Sequence, residues 1–128
     1  LGIVLQAAAR WNAFVVLKGY HTIIATPDGR AFINSTGNPG MATGGTGDVL
    51  TGIIAALIAQ GIAPPDAAAA GAQAHGEAGD IAARRVTARA MRPMDVVTGL
   101  QDVWRTWGRG GSLRRAPILF ELPAPTVM

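Results

Sequence analysis

Between Gly37 and Gly47 the chain places five glycines in eleven positions, and a nearly unbroken apolar stretch follows at once. No regular strand or helix persists at that density, because glycine loses more backbone freedom on ordering than any other residue. The segment is expected to be a loop whose backbone visits unusual angles or comes close to another group. Asp48 to Gln60 reads as the helix it feeds, with Gly61 as the stop. The first N–H groups of a helix have no intrahelical partner, and the helix dipole favours negative charge beside them. Glycines ahead of such a helix can turn their own N–H groups inward and admit a phosphate without a Cβ in its way. Gly45, Thr46 and Gly47 are therefore the candidate anion hole.

Asp48 has two readings. A carboxylate in a first helical turn is favoured by the dipole, so Asp48 can be simply a helix-start residue. Beside a phosphate site it can instead accept the proton of a hydroxyl that attacks the phosphoryl group, while the N–H cradle holds the developing charge. Two commoner glycine motifs do not fit. Gly40 and Gly45 have P-loop spacing, but Thr46 stands where the lysine belongs. Gly45-Thr46-Gly47-Asp48-Val49-Leu50 fails the dinucleotide fingerprint at its last position.

The remaining segments read as an α/β unit. Leu1 to Trp11 is the end of a helix with Leu5, Ala8 and Ala9 on one side, and Asn12 stops it. Phe14 to Leu17 is continuously apolar and β-branched, which suggests a strand buried on both faces as in a parallel sheet. Thr22–Thr26 and Ala31–Asn34 are further strands, joined as a hairpin across Asp28-Gly29. The run Val49 to Ile58 is too short for a bilayer and reads as a buried helix. A helix opens at Pro64-Pro65 and runs to about Arg85, and another runs from Met94 or Asp95 to Trp107. Trp104 and Trp107, about one turn apart, are expected on its core side. Met91 and Met94 read as core or loop fillers. Gly108 to Met128 reads as a tail, mostly disordered or loosely docked.

Composition sets outer limits. The 128 residues suggest one domain at most, and 49% hydrophobic against 15% charged content argues against wholesale disorder. With no cysteine, disulfides and thiolate metal sites are excluded, and the chain suits a reducing compartment. The net charge is +3, and Arg84, Arg85, Arg89 and Arg92 form the densest basic group. No aromatic residues interleave with them, so a solvated helix face is preferred to a nucleic-acid patch. No secretory leader is visible, and no membrane association is expected.

Asn38 to Gly52, reading NPGMATGGTGDVLTG, closely resembles the signature of the ADP/ATP-dependent NAD(P)H-hydrate dehydratases. Lys18-Gly19-Tyr20-His21-Thr22 resembles that family's KG-x-x-T segment, and His75 to Asp80 its HG-x-AGD segment. The resemblance covers about Ala8 to Trp107. It implies a ribokinase-like α/β/α sandwich, of which this would be the C-terminal portion, with residues 1–107 as the partial domain and 108–128 as the tail. It implies a repair reaction, in which hydrated NADH or NADPH is phosphorylated at the ring hydroxyl and then loses phosphate. ADP or ATP would be the donor, Mg2+ the assisting ion, and the cytoplasm the location. Lys18, Gly19, Tyr20, His21, Thr22 and Gly47 would contact the nucleotide. Asp48 would contact the substrate and act as catalytic base, with Asn38 and Thr46 as helpers. No protein metal site is expected.

The bland alternatives stay beside these roles. Lys18 could be a solvated lysine at a strand end, although it is the chain's one lysine. His21 could face solvent, and His75 reads as a packed or capped helix histidine rather than a ligand. A complete domain of this fold is about twice as long, above the ~100–150 residue mode for domains. The expectation is that the N-terminal part is missing, and that the chain alone is poorly stable or inactive unless a partner completes it. A homo-oligomer and a fused epimerase domain in the full-length protein are further expectations. The competing functions are a small-molecule kinase of the same fold and an inactive nucleotide-binding fragment.

Overall fold

A computed structural model of the chain describes residues 1–110 and 118–121. Its elements run α1 (Gly2–Trp11), β1 (Val15–Leu17), β2 (Ile23–Ala25), β3 (Arg30–Ile33), a 3₁₀ turn (Pro39–Met41), α2 (Thr46–Ala59), α3 (Pro64–Val86), α4 (Pro93–Gly108) and β4 (Ile118–Glu121). The strands lie in the order β1-β2-β3-β4, and each neighbouring pair is antiparallel.

That corrects one expectation. The apolar run of β1 was read as a strand of a parallel sheet, yet its described neighbour is antiparallel, and Leu17 is half exposed. The run is apolar because both sheet faces are covered by helices. Val15, Ile23, Ala25 and Ala31 pack against Val4, Leu5 and Ala8 of α1. Val16, Ile24 and Phe32 point the other way, onto Leu50 and Ile54 of α2 and Ala68 and Ala72 of α3. Successive strand residues thus alternate between two helical layers. The hairpin at Asp28-Gly29 forms as expected, with Gly29 at φ +91° and its N–H on the Thr26 carbonyl. Asn12 ends α1 in the left-handed conformation at φ 48°.

A second correction concerns α2. It begins at Thr46 rather than Asp48, and only Thr46, Leu50 and Ile53 are buried. It was read as a buried helix, but its unbroken apolar character leaves an apolar face exposed. The most enclosed helix is α3, where alanine and glycine let neighbours approach closely. A Cβ on Gly99 of α4 would lie 2.5 Å from the Ala78 carbonyl oxygen, so only glycine fits that crossing. Ala74, Ala78 and Ala82 then pack with Met91, Val96 and Val103. Trp107 covers this core as expected and donates from its indole N–H to Glu77 at 3.1 Å. Trp104 meets Trp107 edge-on but stays 39% exposed.

Most of the segment read as a tail, residues 111–117 and 122–128, lies outside the described residues. Ile118–Glu121 within it forms β4 on the outer edge of β3, an element the turn-rich composition hid. Among the described residues, no helix is long and apolar enough to cross a membrane. Arg85 pairs with Asp102, as does Arg105 at 2.7 Å, while Arg84, Arg89 and Arg92 are exposed.

Candidate nucleotide and phosphoryl-transfer site

The glycine-rich segment owes its shape to α2 and α3 together. Gly45 is the N-cap of α2 at φ +95°, and it supplies no side-chain cap. A serine or aspartate there would satisfy one of the first amides, whereas glycine leaves them to whatever lies in front. Any other residue would be strained at that φ, and its Cβ would stand 3.0 Å from the Pro93 ring. The amides of Asp48 and Val49 turn back to the Gly45 carbonyl at 3.1 and 3.2 Å. The Thr46 amide bonds to Thr43 at 3.3 Å. Among the described residues, the amides of Gly44, Gly45 and Gly47 have no protein acceptor. Of the amides expected as an anion hole, that of Thr46 is not a free donor, while Gly44, which was not singled out, presents an unbonded amide beside those of Gly45 and Gly47.

Thr46 has another task. Its buried hydroxyl lies 2.6 Å from the Met41 carbonyl and 2.8 Å from that of Thr43, which ties the loop to the helix. Asn38 is similarly engaged. Its side-chain oxygen accepts from the Gly40 amide at 3.0 Å, and its amide donates to Asp80 at 3.1 Å.

Helix α3 holds the loop along one face. Asn34 donates to the Ala72 carbonyl, and the Thr36 hydroxyl lies 3.3 Å from that of Gln73. His75, buried, places Nε2 2.8 Å from the Thr46 carbonyl. Gly76 lies under Thr36 and Gly79 under Met41, each so close that a Cβ would collide. Asp80 accepts from the Gly37 amide at 3.2 Å as well as from Asn38. Burial, with the Lys18 charge adding to it, pushes the His75 imidazole below its ordinary pKa, against the hydrogen bond to Thr46.

Lys18 and Asp48 complete the site. Lys18 follows β1 and reaches toward α2, with Nζ 3.3 Å from where a Cβ on Gly47 would stand. Asp48, third in the helix, is exposed, and its carboxylate makes no hydrogen bond or ion pair among the described residues. It is not a side-chain cap, although the dipole still favours its charge. A groove of ≈ 330 Å³ runs from Lys18 and Gly47 along Thr51 and Ile54. A larger one of ≈ 640 Å³ lies between α2 and α4, lined by residues such as Ile53, Leu57, Val97 and Trp104. Its lining has no ionisable side chain, whereas the smaller groove has Lys18.

A family model described as NAD(P)H-hydrate dehydratase matches residues 1–102. The chain belongs to this family. The bifunctional NAD(P)H-hydrate repair enzyme of Moorella thermoacetica is 55% identical over 105 residues, which are 82% of this chain and 20% of that protein. The ADP-dependent (S)-NAD(P)H-hydrate dehydratase of Neisseria meningitidis is 50% identical over 61% of this chain and 26% of its own length. An ADP/ATP-dependent NAD(P)H-hydrate dehydratase of Bacillus subtilis, co-crystallised with ATP and Mg2+, matches with a TM-score of 0.79. It is 32% identical and covers 83% of this chain and 38% of that one. The chain thus spans well under half of each of these relatives, and the fold is the ribokinase-like dehydratase fold over that part.

Within the family's KG-x-x-T segment, the structure brings Lys18 to Gly47 but leaves Tyr20 93% exposed. His21 is also exposed, at φ 61°, with its ring 4.2 Å from that of Tyr20. Gly19 is exposed and Thr22 half-buried in the same β1–β2 connection. Asp80 and Gly44 are the contributors that sequence reasoning passed over. Asp80 lay in a quoted segment, but nothing in the sequence showed that it faces a loop some forty residues earlier.

Proposed function

We propose that this chain carries the nucleotide-facing part of an ADP- or ATP-dependent dehydratase that returns hydrated NADH or NADPH to the normal cofactor. One observation carries the reading. Free amides at Gly44, Gly45 and Gly47, the Lys18 ammonium and the unbonded Asp48 carboxylate gather at one helix end. The names of the relatives favour this chemistry over a kinase that keeps its phosphorylated product.

The terminal phosphates of the nucleotide rest on the three amides, with Lys18 beside them. Each contact is a donor aimed at charge that grows during transfer, which is where such donors contribute most. The hydroxyl oxygen of the hydrated ring attacks the terminal phosphorus, and its proton passes to Asp48. The bond from phosphorus to the bridging oxygen breaks, and the shortened nucleotide leaves. The ring carbon–oxygen bond then breaks with loss of phosphate and a ring proton, restoring the double bond. Among the described residues, no three His, Cys, Asp or Glu side chains converge as a metal cage. A Mg2+ ion would therefore be held mainly by phosphate oxygens and water, with Asp48 the nearby carboxylate. Bound there, it would neutralise phosphate charge.

The test supplies the chain with the N-terminal part of a relative's domain that it does not span, adds hydrated NADH and ADP, and follows the return of reduced-nicotinamide absorbance. Asp48→Asn should lower the rate roughly 10²–10⁴-fold, the usual range for a general base. ADP affinity by calorimetry should change little. ADP binding without turnover in that completed protein, or a rate indifferent to Asp48→Asn, would leave only a nucleotide-binding unit.

A further inference from the structure

His75 is buried in the middle of α3, and its one described polar contact is Nε2 to the Thr46 carbonyl at 2.8 Å. A carbonyl oxygen only accepts, so Nε2 carries the hydrogen and donates. The Thr46 carbonyl and the Gly47 amide belong to one planar trans peptide unit, in which C=O and N–H point in opposite directions. Whatever holds that carbonyl toward α3 also holds the Gly47 N–H away from it. That amide is one of the three free donors and lies beside Lys18. Thr46 sits in the first helical turn with glycine on each side, and the helix has no side-chain cap, so His75 adds a second hold to the one the helix gives that carbonyl.

We propose that His75 is a positioning residue for phosphate binding. By donating to the Thr46 carbonyl from the core side, it keeps the Thr46–Gly47 peptide plane turned so that the Gly47 N–H faces the nucleotide phosphates. The inference rests on the anion-hole reading above and names the residue that sets one of its donors. It requires only a hydrogen on Nε2, which the neutral ring favoured by burial supplies in one tautomer.

The experiment compares the unaltered chain with His75→Gln and His75→Leu. Glutamine can bring an amide N–H near the position of Nε2, whereas leucine fills space without a donor. Amide exchange is read at Asp48 and Val49 in the first turn of α2, against Val96 and Val103 in the core as an internal standard. ADP affinity is read by calorimetry. His75→Leu should raise exchange at Asp48 and Val49 about tenfold relative to Val96 and Val103, and weaken ADP about tenfold, the size of a lost buried hydrogen bond. His75→Gln should restore most of both. Wild-type exchange and affinity in His75→Leu would overturn the proposal. So would equal losses in both variants, because the ring would then act by shape alone. If His75→Leu does not fold, His75→Asn, whose shorter amide falls short of Thr46, takes its place with the same expected losses. An unaltered chain that binds no ADP would overturn the proposed function, while the exchange comparison would still decide whether His75 holds the peptide.

Discussion

Gly47 and Asp48 are sequence neighbours at one helix end, the first with an amide that has no protein acceptor among the described residues and the second with an unbonded carboxylate. That unpaired amides gather there was legible in the sequence, because a glycine-rich run meeting an apolar helix leaves few other places for free donors. Which amides stay free was not legible. That depends on the Thr43 carbonyl reaching the Thr46 amide and on the Thr46 hydroxyl turning inward. At the same scale, His75 ties stability to pH. Its pKa is lowered in the fold from an ordinary 6.5, chiefly by burial. The unfolded chain then binds the proton more readily, so the contribution of the neutral ring is intact above about pH 6.5 and is lost as pH falls through the lowered value. Urea midpoints should fall between pH 7.5 and pH 5.5, two readings on either side of the histidine range. His75→Gln should flatten that fall, and an undiminished fall in the variant would assign it to other groups.

Helix α3 acts as a ruler for the loop. Over Ala72, Gln73, His75, Gly76, Gly79 and Asp80 it meets Asn34, Thr36, Thr46, Met41, the Gly37 backbone amide and the Asn38 side chain. The alanine-rich pattern of this helix was legible as a close-packing face, but its loop partners were not. They are brought together by folding, and no local spacing encodes them. A Cβ at Gly76 would fall 2.0 Å from the Thr36 hydroxyl and 2.7 Å from its backbone carbon. Gly76→Ala gains about 1 kcal/mol of helix propensity but incurs overpacking of roughly 1–3 kcal/mol. Backbone cannot step aside as a flexible side chain can, so the net effect should be a lower melting temperature. An unchanged or raised value would mean that Thr36 moves freely. The same reasoning explains the misread strand. Apolar continuity in β1 reported two covered faces correctly, but it carries no information on strand direction.

Across the whole molecule, the layers differ in how firmly they are held. Twelve residues of α3 are buried against three of α2, although α2 is the more apolar helix. Local opening follows burial rather than composition. Amides from Ala55 to Ala59 should therefore exchange faster than those from Ala74 to Ala82, and equal protection in the two stretches would mean that the exposed side of α2 is covered in solution. The α/β character was legible from the alternation of helical and strand patterns, while the three-layer arrangement was implied by the family resemblance. The edge strand β4 was not, since proline and glycine on both sides disguise it. The central position of α3 has one more consequence. A helix turns by about 100° per residue, so a single codon inserted between Ala72 and Asp80 would swing every later anchor to another face and release the loop, α2 and α4 at one stroke. Length changes in this chain should be tolerated in its connecting turns and purged from those nine positions.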